Sequence, residues 1–179
     1  MNKSLVAGVV AMAMFSFGAH AAGGSGVVNF KGSVIDAPCG IASESADQTI
    51  DFGQISKAHL EANGVSVKKN LDIKLVNCTL AKPNSQPASS FKTVTVSFTG
   101  ATIANQNSEL GTTGDTGTAI VVSGADGNLV DFTGTNSATS NLKEGDNTLR
   151  YSTWVKKATG GNLKEGDFAA VANFNLTYQ

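Results

Sequence analysis

The chain has 179 residues, 13 basic and 14 acidic side chains and a net charge of −1 at pH 7, enough length for one domain with its own core. Its charge excludes the basic footprint of a nucleic-acid binder: Lys68-Lys69 and Lys156-Lys157 are isolated pairs and read as solvated surface. A zinc or copper site would want several histidine or cysteine ligands, and the single histidine beyond residue 21 together with a disulfide cannot supply them.

Residues 1–21 read as a secretory leader. Lys3 makes a positive start, 5–17 is an apolar run too short to span a membrane, and Ala19-His20-Ala21 is a small-x-small cleavage site. Export places Cys39 and Cys78 in an oxidising compartment, where an even count reads as one disulfide. In the chain-entropy model, closing a loop of about 40 residues is worth roughly 4 kcal/mol. The alternative is two unpaired thiols; metal ligation is disfavoured because no histidine is near either cysteine.

After a small, Gly-rich stretch at 22–26, the pattern predicts a strand over 27–35. Val28, Phe30, Gly32 and Val34 share one face; Asn29, Lys31 and Ser33 share the other. Pro38-Cys39-Gly40 ends it. A second strand is expected over 48–55, with Ile50 and Phe52 in phase, then a short helical turn over 56–62 closed by Asn63-Gly64. Leu71, Ile73 and Leu75 alternate with Asp72 and Lys74 in a third strand, with Cys78 just beyond. Residues 82–90, with Pro83 and Pro87, read as a loop. Val94, Val96 and Phe98 mark a fourth strand over 91–99. Residues 100–117 are polar and read as an irregular connection. Strands are expected over 118–123, over 128–133 and over 147–157, the last carrying Leu149, Tyr151, Thr153 and Val155 in phase.

The final stretch, 166–179, alternates most cleanly. Phe168, Ala170, Ala172, Phe174, Leu176 and Tyr178 share one face, and Asn173, Asn175 and Thr177 the other. Gly166-Asp167 supplies the turn before it. No later segment follows to pair with this strand, and an unpaired edge is a template for another chain. One hexapeptide, Asn-Leu-Lys-Glu-Gly-Asp, occurs at 141–146 and again at 162–167, each time before a strand. It reads as a repeated turn rather than an array. Seven or eight short strands separated by turns, with one disulfide and no helical period, predict an all-β sandwich.

Several stretches together carry a resemblance. They are Phe30-Lys31-Gly32-Ser33-Val34-Ile35-Asp36-Ala37-Pro38-Cys39, Asp47-Gln48-Thr49-Ile50-Asp51-Phe52-Gly53-Gln54, Leu71-Asp72-Ile73-Lys74-Leu75-Val76-Asn77-Cys78, and Gly117-Thr118-Ala119-Ile120-Val121-Val122. The C-terminal pattern adds Gly166 fourteenth from the end and a penultimate Tyr178. In this order they resemble the pilins of chaperone–usher pili, the surface fibres of Gram-negative bacteria, and within that family the major shaft subunits of the P type. The match runs along the whole mature chain and is loosest over 100–116.

The resemblance implies an immunoglobulin-like sandwich that lacks its last strand. The pilin domain would be 34–179, and 22–33 an N-terminal extension donated to the next subunit. The donor face would be Gly24, Gly26, Val28, Phe30 and Gly32, with Gly26 where the family's groove is constricted; Gly24 departs from the bulkier residue of some members. The acceptor groove would flank Gly166, Phe168, Ala170, Ala172, Phe174, Leu176 and Tyr178, filled first by a periplasmic chaperone and later by the extension of an identical or related subunit. The implied partners include an outer-membrane usher, and the implied location is an extracellular fimbrium. No cofactor and no catalysis are implied.

An enzyme finds no support in the residues. His59, the one histidine after the leader, stands in a polar turn with no nucleophile motif. The carboxylates of Glu44, Asp47, Asp51 and Glu61 show no glycosidase spacing. Trp154 could be a sugar platform, but beside Tyr151 in a strand it reads as a packing residue. Two alternatives remain at this level: a minor or adaptor pilin, and a secreted carbohydrate-binding sandwich acting as a monomer.

Overall fold

The computed structural model describes residues 26–179 except 83 and 85–87, and only the backbone of 135–138. The expected leader, the first residues of the extension and Gly24 lie outside the described residues. The chain divides into two units between Val34 and Ile35.

In the first unit, residues 26–34 form neither helix nor strand, and all are exposed. The strand expected over 27–35 is therefore not formed. Alternation prepares a segment for a ladder, but only a neighbouring edge creates one.

The second unit contains nine strands and two short helices among the described residues. They are β1 (Gly40–Ile41), α1 (Ser43–Ala46), α2 (Lys57–Glu61), β2 (Lys69–Cys78), β3 (Thr93–Gly100), β4 (Thr102–Ile103), β5 (Gln106–Gly111), β6 (Thr118–Gly124), β7 (Thr133–Asn141), β8 (Gly145–Lys157) and β9 (Ala172–Tyr178). One sheet has the order β1-β2-β8-β6-β5-β4; the other is β7-β3-β9. Every pairing is antiparallel.

Alternation explains which faces meet. Ile73 and Leu75 of β2, Leu149 and Tyr151 of β8, and Val94, Val96 and Phe98 of β3 are buried between the sheets. Phe98 stands edge-on to Tyr151 at 5.2 Å and to Phe132 at 6.5 Å. Edge-to-face contacts of this kind add about 0.5–1.5 kcal/mol beyond burial. Cys39 and Cys78 form the expected disulfide, which ties the start of β1 to the end of β2.

Four expectations change. Residues 48–55 form no strand and belong to no ladder, with Ile50 and Phe52 half-buried. Residues 100–117 contain β4 and β5, because backbone pairing with β6 recruits a polar sequence in which Leu110 faces the core and the neighbouring Glu109 is buried on the other side. Of the strand expected over 128–133 only Thr133, the first residue of β7, is in a strand; the rest is a plug with one isolated bridge from Leu129 to Ser123. Val130 and Phe132 enter the core from it, while their N–H groups bond to Val122 and Asn107 carbonyls. Finally, β7 had no apolar alternation to announce it and exists through its ladder with β3.

Candidate strand-acceptor cleft

β9 pairs with β3 from Gly100↔Ala172 to Val94↔Tyr178. Thr93 and Gln179 exchange both backbone hydrogen bonds, at 3.1 and 3.0 Å. Antiparallel geometry alternates from there. The N–H and C=O groups of Ala172, Phe174, Leu176 and Tyr178 therefore point to the other edge of β9, where no strand lies among the described residues. The same residues carry the inward side chains. Phe174, Leu176 and Tyr178 pack against the core yet remain half-buried, and burial pushes the Tyr178 phenol above its ordinary pKa. Of the expected face, Phe168 and Ala170 are also half-buried, whereas Ala172 is exposed. The ladder begins at Ala172 rather than at Phe168, since Ala169 bridges Thr113 instead of extending the pairing with β3.

Beside this edge opens a cleft of about 1470 Å³. One wall is the stretch 163–174, which includes Gly166; the opposite wall is 45–55. Phe98, Leu110, Ile120, Val122 and Phe132 from the core form its floor. Core side chains thus line an open cleft beside the free edge of β9, as in a sandwich with a strand left out.

Local interactions hold both walls. Gln48 Nε2 donates to the Asp72 carbonyl at 3.0 Å, and Asp51 Oδ1 accepts the Gly53 N–H at 2.7 Å. On the other side, Thr113 N–H donates to the Ala169 carbonyl and Lys164 N–H to the Thr116 carbonyl. Gly114 allows that approach: at φ +87°, a Cβ there would lie 2.0 Å from the Asp167 carbonyl oxygen. Gly166 turns the wall at φ +147°. Behind the wall, Glu109 is buried, with its carboxylate bonded to Lys156 Nζ at 2.7 Å, Thr159 N–H at 2.8 Å and Thr159 Oγ1 at 2.6 Å. Burial pushes its pKa up, but the bonds from Lys156 and Thr159 outweigh burial and hold it below the ordinary carboxylate range.

Several contributors went unmarked in the sequence. Leu163 is buried at the base of the wall, inside the second copy of the repeated hexapeptide. That repeat was the one available signal for it. Most of the wall at 45–55 coincides with the strand expected over 48–55, an expectation that hides its role as an edge without a ladder.

The expected donor residues sit in the first unit. Val28 is 73% and Phe30 91% exposed, and Gly26 and Gly32 are fully open around their Cα atoms. The remaining candidates behave as ordinary structure. His59 is exposed, its Nε2 at 3.0 Å from the Val65 carbonyl. Trp154 is half-buried on the outer face of β8, with Lys68 Nζ 4.6 Å from its ring centroid. Tyr151 points to the core on the opposite face.

Comparison with known proteins places this architecture. A model of the family described as fimbrial protein matches residues 28–179. The Pap fimbrial major pilin protein of Escherichia coli is 50% identical over the full length of both chains. The crystal structure of the P pilus rod subunit PapA is similar at a TM-score of 0.73 and 50% identity, covering 80% of this chain and 100% of that one. A chain from the structure of a chaperone–usher pilus, described in terms of rod uncoiling, is similar at a TM-score of 0.78 and 50% identity, covering 87% and 96%. The open all-β sandwich and these full-length likenesses agree, and the chain belongs to the fimbrial protein family.

Proposed function

We infer that this chain is the repeating structural subunit of a pilus shaft on the surface of a Gram-negative bacterium, and that copies join by strand addition. The observation that carries the reading is the free edge of β9 beside a strand-wide cleft floored by core side chains, in a chain whose 26–34 offers an exposed apolar row. Residues 22–33 of one copy would enter the cleft of another antiparallel to β9. Val28 and Phe30 would face the floor, with Gly24, Gly26 and Gly32 in the same row.

Burying Val28 and Phe30 contributes roughly 1.5–3 kcal/mol each. About eight backbone bonds contribute ~0.5–1.5 kcal/mol apiece. Ordering about ten residues costs ~1–2 kcal/mol each. These terms nearly cancel, so the net stability of the joint comes from the acceptor, whose half-exposed Phe174, Leu176 and Tyr178 become covered.

Before assembly the same edge needs a temporary cover. A periplasmic chaperone that supplies a strand, and an outer-membrane usher that receives the complex, are the partners this implies. The relatives are structural pilins, and the site offers a strand-binding edge rather than a set of reacting groups.

The test is Phe30→Asp. An unpaired carboxylate buried in the cleft costs several kcal/mol, whereas the free extension is solvated. Cells carrying it should export the subunit into the periplasm but yield no shafts by negative-stain microscopy of the sheared surface fraction. Normal shafts from this variant would refute the assigned row.

A further inference from the structure

Both copies of the repeated hexapeptide lie at the approach to a strand, with β8 beginning inside the first at Gly145 and β9 beginning after the second at Ala172. The first copy, 141–146, leads into β8; the second, 162–167, leads toward β9. Leu142 and Leu163 both anchor inward, and Gly145 and Gly166 both have positive φ. In the first copy the two carboxylates have a defined task. Glu144 Oε1 accepts the Leu80 N–H at 3.1 Å, and Asp146 Oδ1 accepts the Asn77 N–H at 3.2 Å. Asn77 is at the end of the ladder that β2 makes with β8, whose final pair is Cys78↔Gly145, and Leu80 lies two residues past the end of β2. The carboxylates thus bond backbone N–H groups where the neighbouring strand leaves the ladder.

In the second copy the equivalent groups are Glu165 and Asp167. Both are exposed on the wall of the cleft, and neither has a hydrogen-bond or ion-pair partner among the described residues. The strand that would complete the correspondence is an antiparallel neighbour on the free edge of β9. We propose that Glu165 and Asp167 accept backbone N–H groups from the C-terminal end of the incoming extension, within 32–36 of the next copy, as Glu144 does from Leu80 and Asp146 from Asn77. The inference rests on the strand-addition reading and assigns to that joint two positioning residues outside its apolar row. Charge-assisted bonds from carboxylate to N–H fix the depth to which the strand slides, which apolar alternation alone leaves open by two residues in either direction.

The test uses the full mature chain carrying Phe30→Asp, so that copies do not pair with one another, and a labelled synthetic peptide of residues 22–36 with the natural sequence. Binding is followed by fluorescence anisotropy. Glu165→Ala with Asp167→Ala should weaken the 22–36 peptide about tenfold. It should leave a peptide truncated to 22–31 unaffected, and it should not change the melting temperature of the unbound chain. Glu144→Ala with Asp146→Ala, by contrast, should lower that melting temperature. Equal loss for both peptides would overturn the assignment, as would a loss that vanishes when Lys31 of the peptide is replaced by Gln, because the carboxylates would then pair with a side chain. An equal drop in melting temperature from both double variants would also overturn it. Failure of the parent chain to bind either peptide would instead refute strand addition itself.

Discussion

Phe174 offers a direct measure of how incomplete the sandwich is. Its ring is half-buried, 6.5 Å from that of Phe98 and tilted by 53°, with the remainder facing the cleft. A fully buried Phe→Ala change costs about 3–5 kcal/mol. The half-covered ring in the separate chain should therefore cost about 2 kcal/mol. The comparison is with a chain that lacks 22–32 and carries a copy of 23–33 after Gln179, joined by a short Asn/Gly turn. The copy can fold back antiparallel to β9, because a tight turn joins only antiparallel neighbours. Tethering makes the encounter intramolecular at about millimolar effective concentration. In that closed chain Phe174→Ala should cost about 4 kcal/mol, since the ring is then covered on both sides. Urea titrations with linear extrapolation resolve a difference of this size; in thermal melts it is about 4–8 °C. Thr177→Ser, on the exposed face opposite Thr95, should change either chain by less than about 0.5 kcal/mol. Equal costs of Phe174→Ala in the two chains would mean that the added strand does not cover this ring, and the account of the cleft would fail.

Glu109→Gln should destabilise the chain by about 2–3 kcal/mol, the lower side of the cost of breaking a buried pair, because Lys156 is 34% exposed and retains water. The pH dependence follows from the lowered pKa. The contribution of Glu109 is present above its unfolded-state value and is lost as pH falls through the folded value, so the acid limb of a melting profile should be shallower in Glu109→Gln. A parallel limb in both proteins would remove Glu109 from the account. Cys39→Ser with Cys78→Ser should cost about 4 kcal/mol through the lost cross-link. Unreduced mature protein should weigh two daltons less than its dithiol, and alkylation of two thiols without reductant would contradict the bond.

Much of the fold was written in local alternation. β2, β3 and β8 each place apolar residues at every second position and bury them, because a half-buried strand needs no distant information to choose its inner face; β6 is a continuous apolar run, and β9 keeps its phase while half-burying Phe174, Leu176 and Tyr178 and exposing Ala172. The pairing of Cys39 with Cys78 followed from count and compartment. The resemblance identified the family from ordered motifs at both ends of the chain. Tertiary structure alone decided the elements whose sequences are polar or short. β7 is Thr-Gly-Thr-Asn-Ser-Ala-Thr-Ser-Asn and forms because β3 offers an edge. Phe132 reaches the core from a loop, and Leu163 anchors a wall from within a turn, since both are placed by long-range contacts rather than by their neighbours in sequence. The segments 27–35 and 48–55 show the converse. Their alternation is as regular as that of formed strands, yet neither has a ladder here, because backbone pairing is a property of two edges and one sequence can specify only its own.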